Sequence, residues 1–137
     1  MGQSNQFMNE VLYKFTYDIT GDTSGSIGAH TLGTLPENFV ITQAWIHVLT
    51  TFTDGADDSA TMSIGYTGAL TAFEAATAIS SGTTWDAGAP RVSDAAADAA
   101  VGNFVTAAGG DDVILTVADD KIDSGKLVLM VRGYIAD

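Results

Sequence analysis

Fifteen consecutive residues, Phe39 to Thr53 (FVITQAWIHVLTTFT), contain no glycine or proline and are mostly β-branched, aromatic or aliphatic. Such a composition suits a pleated strand and suits a helix poorly. At about 3.3 Å per residue the strand would run about 50 Å, longer than most sheets, so a bulge or bend is expected within it. Both of its faces are apolar. Val40, Ala44, Ile46, Val48 and Phe52 share one side, and Phe39, Ile41, Trp45, His47 and Leu49 share the other. A strand with one face in water would alternate with polar residues. The second face must therefore be covered, either by another segment of this chain or by a second copy of it.

The flanks of this strand supply turns. Pro36 and Asn38 precede it, and Thr53-Asp54-Gly55 follows; these residue types favour tight reversals. Met62, Ile64 and Tyr66 then alternate with Thr61, Ser63 and Gly65, so the long strand and this one read as a central hairpin. Upstream, Val11, Tyr13, Phe15 and Tyr17 alternate with Lys14, Thr16 and Asp18, and Ile27 to Leu32 forms a second short strand. Leu70, Phe73, Ala76 or Thr77, and Ile79 to Ser80 recur at three- to four-residue spacing among alanines, which predicts a short helix over Ala69–Ser80 stopped at Gly82. Ser93 can cap a second short helix over Asp94–Val101, and a strand follows at Asn103–Ala107. Val113 to Ala118 and Lys126 to Ile135 read as a second hairpin across an Asp-rich turn. The expected fold is all-β: an antiparallel β-sandwich, jelly-roll-like, with one or two short helical insertions. Residues 1–10 are expected to be a flexible N-terminal arm, and residues 11–137 a single domain.

Charge narrows the partners. Five basic residues stand against seventeen acidic ones, for a net charge of −12. The basic residues are scattered along the chain, so neither nucleic acid nor an anionic membrane surface is an expected partner. The longest apolar run, Leu127 to Val131, is far too short to span a bilayer. The N-terminus lacks the basic start and apolar core of a signal peptide. With no cysteine, thiolate metal sites and disulfides are excluded.

Catalytic constellations are hard to assemble from these residues. His30 and His47 are the two histidines, and neither lies at a metal-ligand spacing. His47 sits inside the apolar strand, where a packed histidine is the simpler reading. The loop GDTSGSIG at residues 21–28 lacks the lysine and following helix of a phosphate-binding loop. Asp54, Asp57 and Asp58 can be a calcium-binding tip or a solvated turn, and their spacing does not match a calcium-binding helix–loop–helix. Trp85 can plug one end of the core or stack against a ligand from its loop. Arg132, in an apolar run, needs a carboxylate partner. The expectation is a protein that is not an enzyme and has no cofactor and no metal.

LGTLPENFVITQAWIHVLTTFTDG, then SATMSIGYTGALTAFEAATAI, and finally KLVLMVRGYIAD resemble the small structural proteins of tailed bacteriophages. The resemblance covers nearly the whole chain beyond residue 11, with departures at Met62 and at Arg132-Gly133. It implies a virion component of β-sandwich fold, foremost a head decoration (cement) protein made in the host cytoplasm and placed on the capsid surface. The implied partners are further copies of itself, as a homotrimer, and the major capsid protein. On that reading Phe39, Trp45, His47 and Leu49 would form the oligomer interface, and residues 1–10 the shell contact. The alternative is a tail or fibre component binding host-surface glycan through loop aromatics, Trp85 with Phe73 nearby.

Overall fold

The computed structural model describes residues 10–19, 25–55, 57–93, 104–105 and 110–135. Their strands run in chain order as β1 (Val11–Ile19), β2 (Gly28–Leu35), β3 (Phe39–Thr53), β4 (Thr61–Tyr66) and β5 (Ala69–Ala78), followed by β6 (Arg91–Val92), β7 (Phe104–Val105), β8 (Asp111–Ala118) and β9 (Ser124–Ile135). They build two antiparallel sheets. The first has the order β1-β9-β3-β6, with β7 also on β3, and the second has the order β2-β8-β4-β5.

The alternating residues of β1, β4 and β8 become the inner faces. Phe15 and Tyr17 from β1, Ile64 from β4 and Leu115 from β8 meet Ile46 and Leu129 in one core shared by both sheets. The sheets also approach closely at their rims. A Cβ on Gly33 of β2 would lie 2.6 Å from the Phe15 ring of β1, so only glycine admits this contact.

Two expectations are corrected by the strand order. The long strand and its successor are not a hairpin, because β3 lies in the first sheet and β4 in the second. The same holds for β8 and β9. Each Asp-rich turn carries the chain from one sheet to the other, and of the consecutive strands only β4 and β5 pair with each other. The expected helix over Ala69–Ser80 is also overturned: Ala69–Ala78 is β5, antiparallel to β4 across Thr67-Gly68. Gly68 takes a φ of 88° there, which a side chain would resist. The pairing has register shifts between Met62 and Ile64 and between Ile64 and Tyr66. Those irregularities break the period of two and leave apolar residues at the three- to four-residue spacing that resembled a helix. No helix occurs among the described residues; the second expected one, over Asp94–Val101, lies outside them.

Burial has one consequence that can be measured directly. Tyr17 packs in the core beside the Phe52 ring, at 6.1 Å between centroids. Desolvation pushes its hydroxyl pKa up to about 12. Tyr66 is raised as well, by burial first and then by the Asp111 carboxylate. An unfolded tyrosine loses its proton near pH 10, so above that the unfolded chain binds fewer protons than the native one. Stability is therefore expected to fall as pH rises from about 10 through 12, with Tyr17 contributing up to about 2 kcal/mol. Urea titrations at pH 8 and pH 11 should show a steeper loss for the wild type than for Tyr17→Phe; equal losses would contradict the assignment.

Candidate interaction surface

The outward side chains of the first sheet form continuous rows, because residues in register point the same way and alternate along each strand. Lys14, Met130, Trp45 and Val92 make one row across β1, β9, β3 and β6. Leu12, Arg132 and Gln43 make the row on one side of it, and Thr16, Val128 and His47 the row on the other. Leu12 is 57% exposed and Val92 48% exposed. Leu12, Trp45, Pro90, Met130 and Arg132 line a shallow groove of about 360 Å³ on this face.

A bulge decides which residues belong here. The register of β3 on β9 shifts between Ile41 and Gln43, leaving Thr42 as the extra residue. Side-chain parity inverts across it. Phe39 and Ile41 point into the core together with Ala44, Ile46 and Val48. The expectation that Phe39 shares a face with Trp45, His47 and Leu49 is thereby corrected. Phe39 is fully buried and meets the Tyr13 ring edge-on at 5.4 Å. Trp45 and His47 stand on the outer face, and Leu49, at a second register shift, is 43% exposed. Gly133 accommodates the first bulge: a Cβ there would collide with the Val40 carbonyl oxygen. Leu12 and Met130 were the members that sequence reasoning missed. Their signal was an apolar residue at a polar position of β1 and an unbroken apolar run in β9.

The electrostatics of this face differ from those of the chain as a whole. Lys14, Lys126 and Arg132, three of the five basic residues, project from it, and among the described residues of β1 and its start Glu10 and Asp18 are the acidic groups beside them. Asp18 lies 3.7 Å from Lys126. Arg132 has the carboxylate expected for it, with Nε 3.5 Å from Glu10, and it donates from Nη2 to Gln43 Oε1 at 2.9 Å. Its guanidinium lies over the Trp45 ring, 5.1 Å from the centroid. Stacking on the indole leaves the arginine half in water. The arm expected over residues 1–10 falls outside the described residues except for Glu10, which accepts a 2.6 Å hydrogen bond from the Thr42 hydroxyl.

The other candidate residues do not converge with this face. His47 stands on the outside of the first sheet, whereas His30 belongs to the second, beside the Tyr17 ring and 2.7 Å from the Ser26 carbonyl oxygen. Trp85 is fully buried. Its indole N–H donates to the Thr77 carbonyl at 3.0 Å, its ring meets Phe52 edge-on at 6.3 Å, and Arg91 covers it at 5.8 Å. Arg91 is held in turn by Glu74 at 2.7 Å. Trp85 therefore plugs the core and is not a loop contact. Phe73 is buried too, so neither ring is offered for stacking on a sugar.

At the acidic tip, the structure replaces one expected member. Asp54, Asp57 and Asp120 present carboxylate oxygens within 4.8 Å of one another. Asp120 comes from the β8–β9 turn, too distant in sequence to be foreseen. Carboxylates so placed are donors for a hard cation. Asp54 is already engaged by the backbone, since its Oδ1 accepts the Asp58 N–H at 2.7 Å and its Oδ2 accepts the Ala60 N–H at 3.0 Å. Those bonds hold the turn that passes from one sheet to the other.

No family model and no curated protein matches the chain. Solved structures do resemble it. A chain of the cyanophage Pam1 capsid asymmetric unit matches with a TM-score of 0.67 at 18% identity, over 99% of this chain and 91% of that one. A chain of the capsid of Ralstonia phage GP4 matches with a TM-score of 0.65 at 20% identity, over 100% and 92%. A chain of the acidic stable capsid of Helicobacter pylori bacteriophage KHP30 gives a TM-score of 0.50 at 16% identity, over 93% and 89%. At these identities the likeness is one of fold.

Proposed function

We propose that this chain is a structural protein of a phage virion, placed on the outside of the head as a decoration (cement) protein that binds between capsomers. The observation carrying this reading is the fold match to chains of phage capsid structures over nearly the full length of the protein. Strand order supports the finer architecture. The rows β1-β9-β3-β6 and β2-β8-β4-β5 follow the two four-strand rows of a jelly roll, an arrangement used by viral capsid domains.

Such a protein works mechanically. Apolar area buried between neighbours contributes about 25 cal/mol per Å², and a protein that binds the assembled shell but not its separated parts stabilises the shell by mass action. Trp45, His47 and Leu49, joined by Leu12 and Met130, form the contact between copies in a homotrimer, and residues 1–10 reach the major capsid protein. Of the groups on this face, Arg132 over Trp45 keeps the patch from being purely greasy while the protein is free in solution.

The test is the copy number in purified particles relative to the major capsid protein, by quantitative mass spectrometry. Copies approaching one per capsid subunit are expected. A few copies per particle would move the chain to the tail, and absence from particles would overturn the virion reading.

A further inference from the structure

We propose that the free edge of β1 pairs antiparallel with β1 of a second copy, about a two-fold axis at Thr16, joining the two first sheets into one continuous sheet. This inference stands independently of the shell reading.

It rests first on how the sheet edges differ. An open edge strand offers a row of unused N–H and C=O groups to any extended chain, and proteins usually blunt such edges with lysine or other charges, proline, bulges or coverage. In this structure β2 is interrupted by a register shift between Thr31 and Gly33. The β5 edge is interrupted twice in its pairing with β4. The far edge of β3 is occupied by β6 and β7. β1 has neither bulge nor proline, and its one lysine, Lys14, stands where a partner's carboxylate can meet it. It pairs with β9 at every position from Val11 to Ile19 without a shift, and no strand among the described residues lies on its other side. Its sequence VLYKFTYDI has no glycine or proline.

Charge then selects the occupant. In a continuous sheet, residues opposite each other must point to the same face, so a two-fold axis between two β1 strands must pass through a residue. With the axis at Thr16, Lys14 of each copy faces Asp18 of the other on the outer side, and Phe15 faces Tyr17 on the inner side. With the axis at Phe15 or Tyr17, Lys14 does not meet Asp18. A parallel in-register pairing sets Lys14 against Lys14. Lys14 has no ion pair among the described residues, and Asp18, 3.7 Å from Lys126, is partly exposed, so its carboxylate can take a second cation from the partner copy. Opposite charges and aromatic pairs directly across strands are the favoured cross-strand combinations. A two-fold contact of this kind is self-complementary and closes.

The absence of cysteine makes the register testable. Thr16→Cys and Leu12→Cys, each made together with Trp45→Glu to silence the outer-face contact that includes Leu12, introduce one exposed thiol into the full-length chain. Across the proposed axis the two Thr16 positions are direct neighbours, whereas the two Leu12 positions are about 27 Å apart at 3.3 Å per residue. Treatment with a short bifunctional thiol reagent should give at least tenfold more covalent dimer for T16C than for L12C. Adding K14E to T16C should lower that yield at least tenfold, and adding D18K to the pair should restore it. Circular dichroism checks that each variant is folded. Equal yields for T16C and L12C, no effect of K14E, or sedimentation of the wild type as a monomer at high concentration would each overturn the proposal. None of these readouts needs the particle, so failure here and failure of the shell reading are distinguishable.

Discussion

Trp85→Ala is expected to cost about 3–5 kcal/mol of folding stability, the range for truncating a large aromatic side chain in a packed interior. The indole is fully buried, bonded to Thr77, edge-on to Phe52 and roofed by Arg91. Truncation opens a cavity, leaves the Thr77 carbonyl without its donor and removes the surface on which Arg91 lies. For a chain of this length the midpoint of thermal unfolding should drop by roughly 10–15 °C. Trp85→Phe fills most of the volume and should recover a large part of the loss. A drop below about 1 kcal/mol in urea unfolding would mean that the ring is not packed as described.

Trp45→Glu should act in the opposite way, sparing the fold and abolishing association through the outer face. Trp45 stands on the outer face of the first sheet, opposite Met130 and Val92, with Arg132 above it. A glutamate there can pair with Arg132 in water, so the isolated subunit should stay within about 0.5 kcal/mol of wild type, as surface substitutions generally do. In a closed contact the same carboxylate would be buried at the centre of an apolar patch, where an unpaired charge costs several kcal/mol. Association beyond the β1-paired dimer and rebinding to stripped particles should both weaken by more than a hundredfold, read by sedimentation and by co-pelleting. Full retention of both would remove this face from the interface. The same substitution leaves the β1 edge intact, so cross-linking through T16C should persist.

Residue patterns serve on one part of the outer face and fail on another. The two apolar faces of Phe39–Thr53 announced that something must cover the outside of the sheet, and Trp45 and His47 do stand there. Phe39 was misplaced because a single extra residue, Thr42, reverses the parity of everything before it. A strand pattern carries its period but not the position of its bulges. The Ala69–Ser80 segment failed for the same reason: irregular pairing with β4 displaced its apolar residues from strict alternation, and local propensity then favoured the wrong element.

Strand character, the all-β class and the exclusion of thiolate chemistry all followed from composition and alternation, which are local properties of a chain. Sheet assignment did not. Nothing near Asp54 or Asp119 says whether the chain reverses within a sheet or crosses to the other, since that choice depends on which distant strands offer their edges. The company of Asp120 with Asp54, the burial of Trp85, and the unbroken edge of β1 among the described strands were likewise decided by tertiary structure. Each depends on neighbours brought close only when the two sheets close on their common core, and local patterns carry no record of those neighbours.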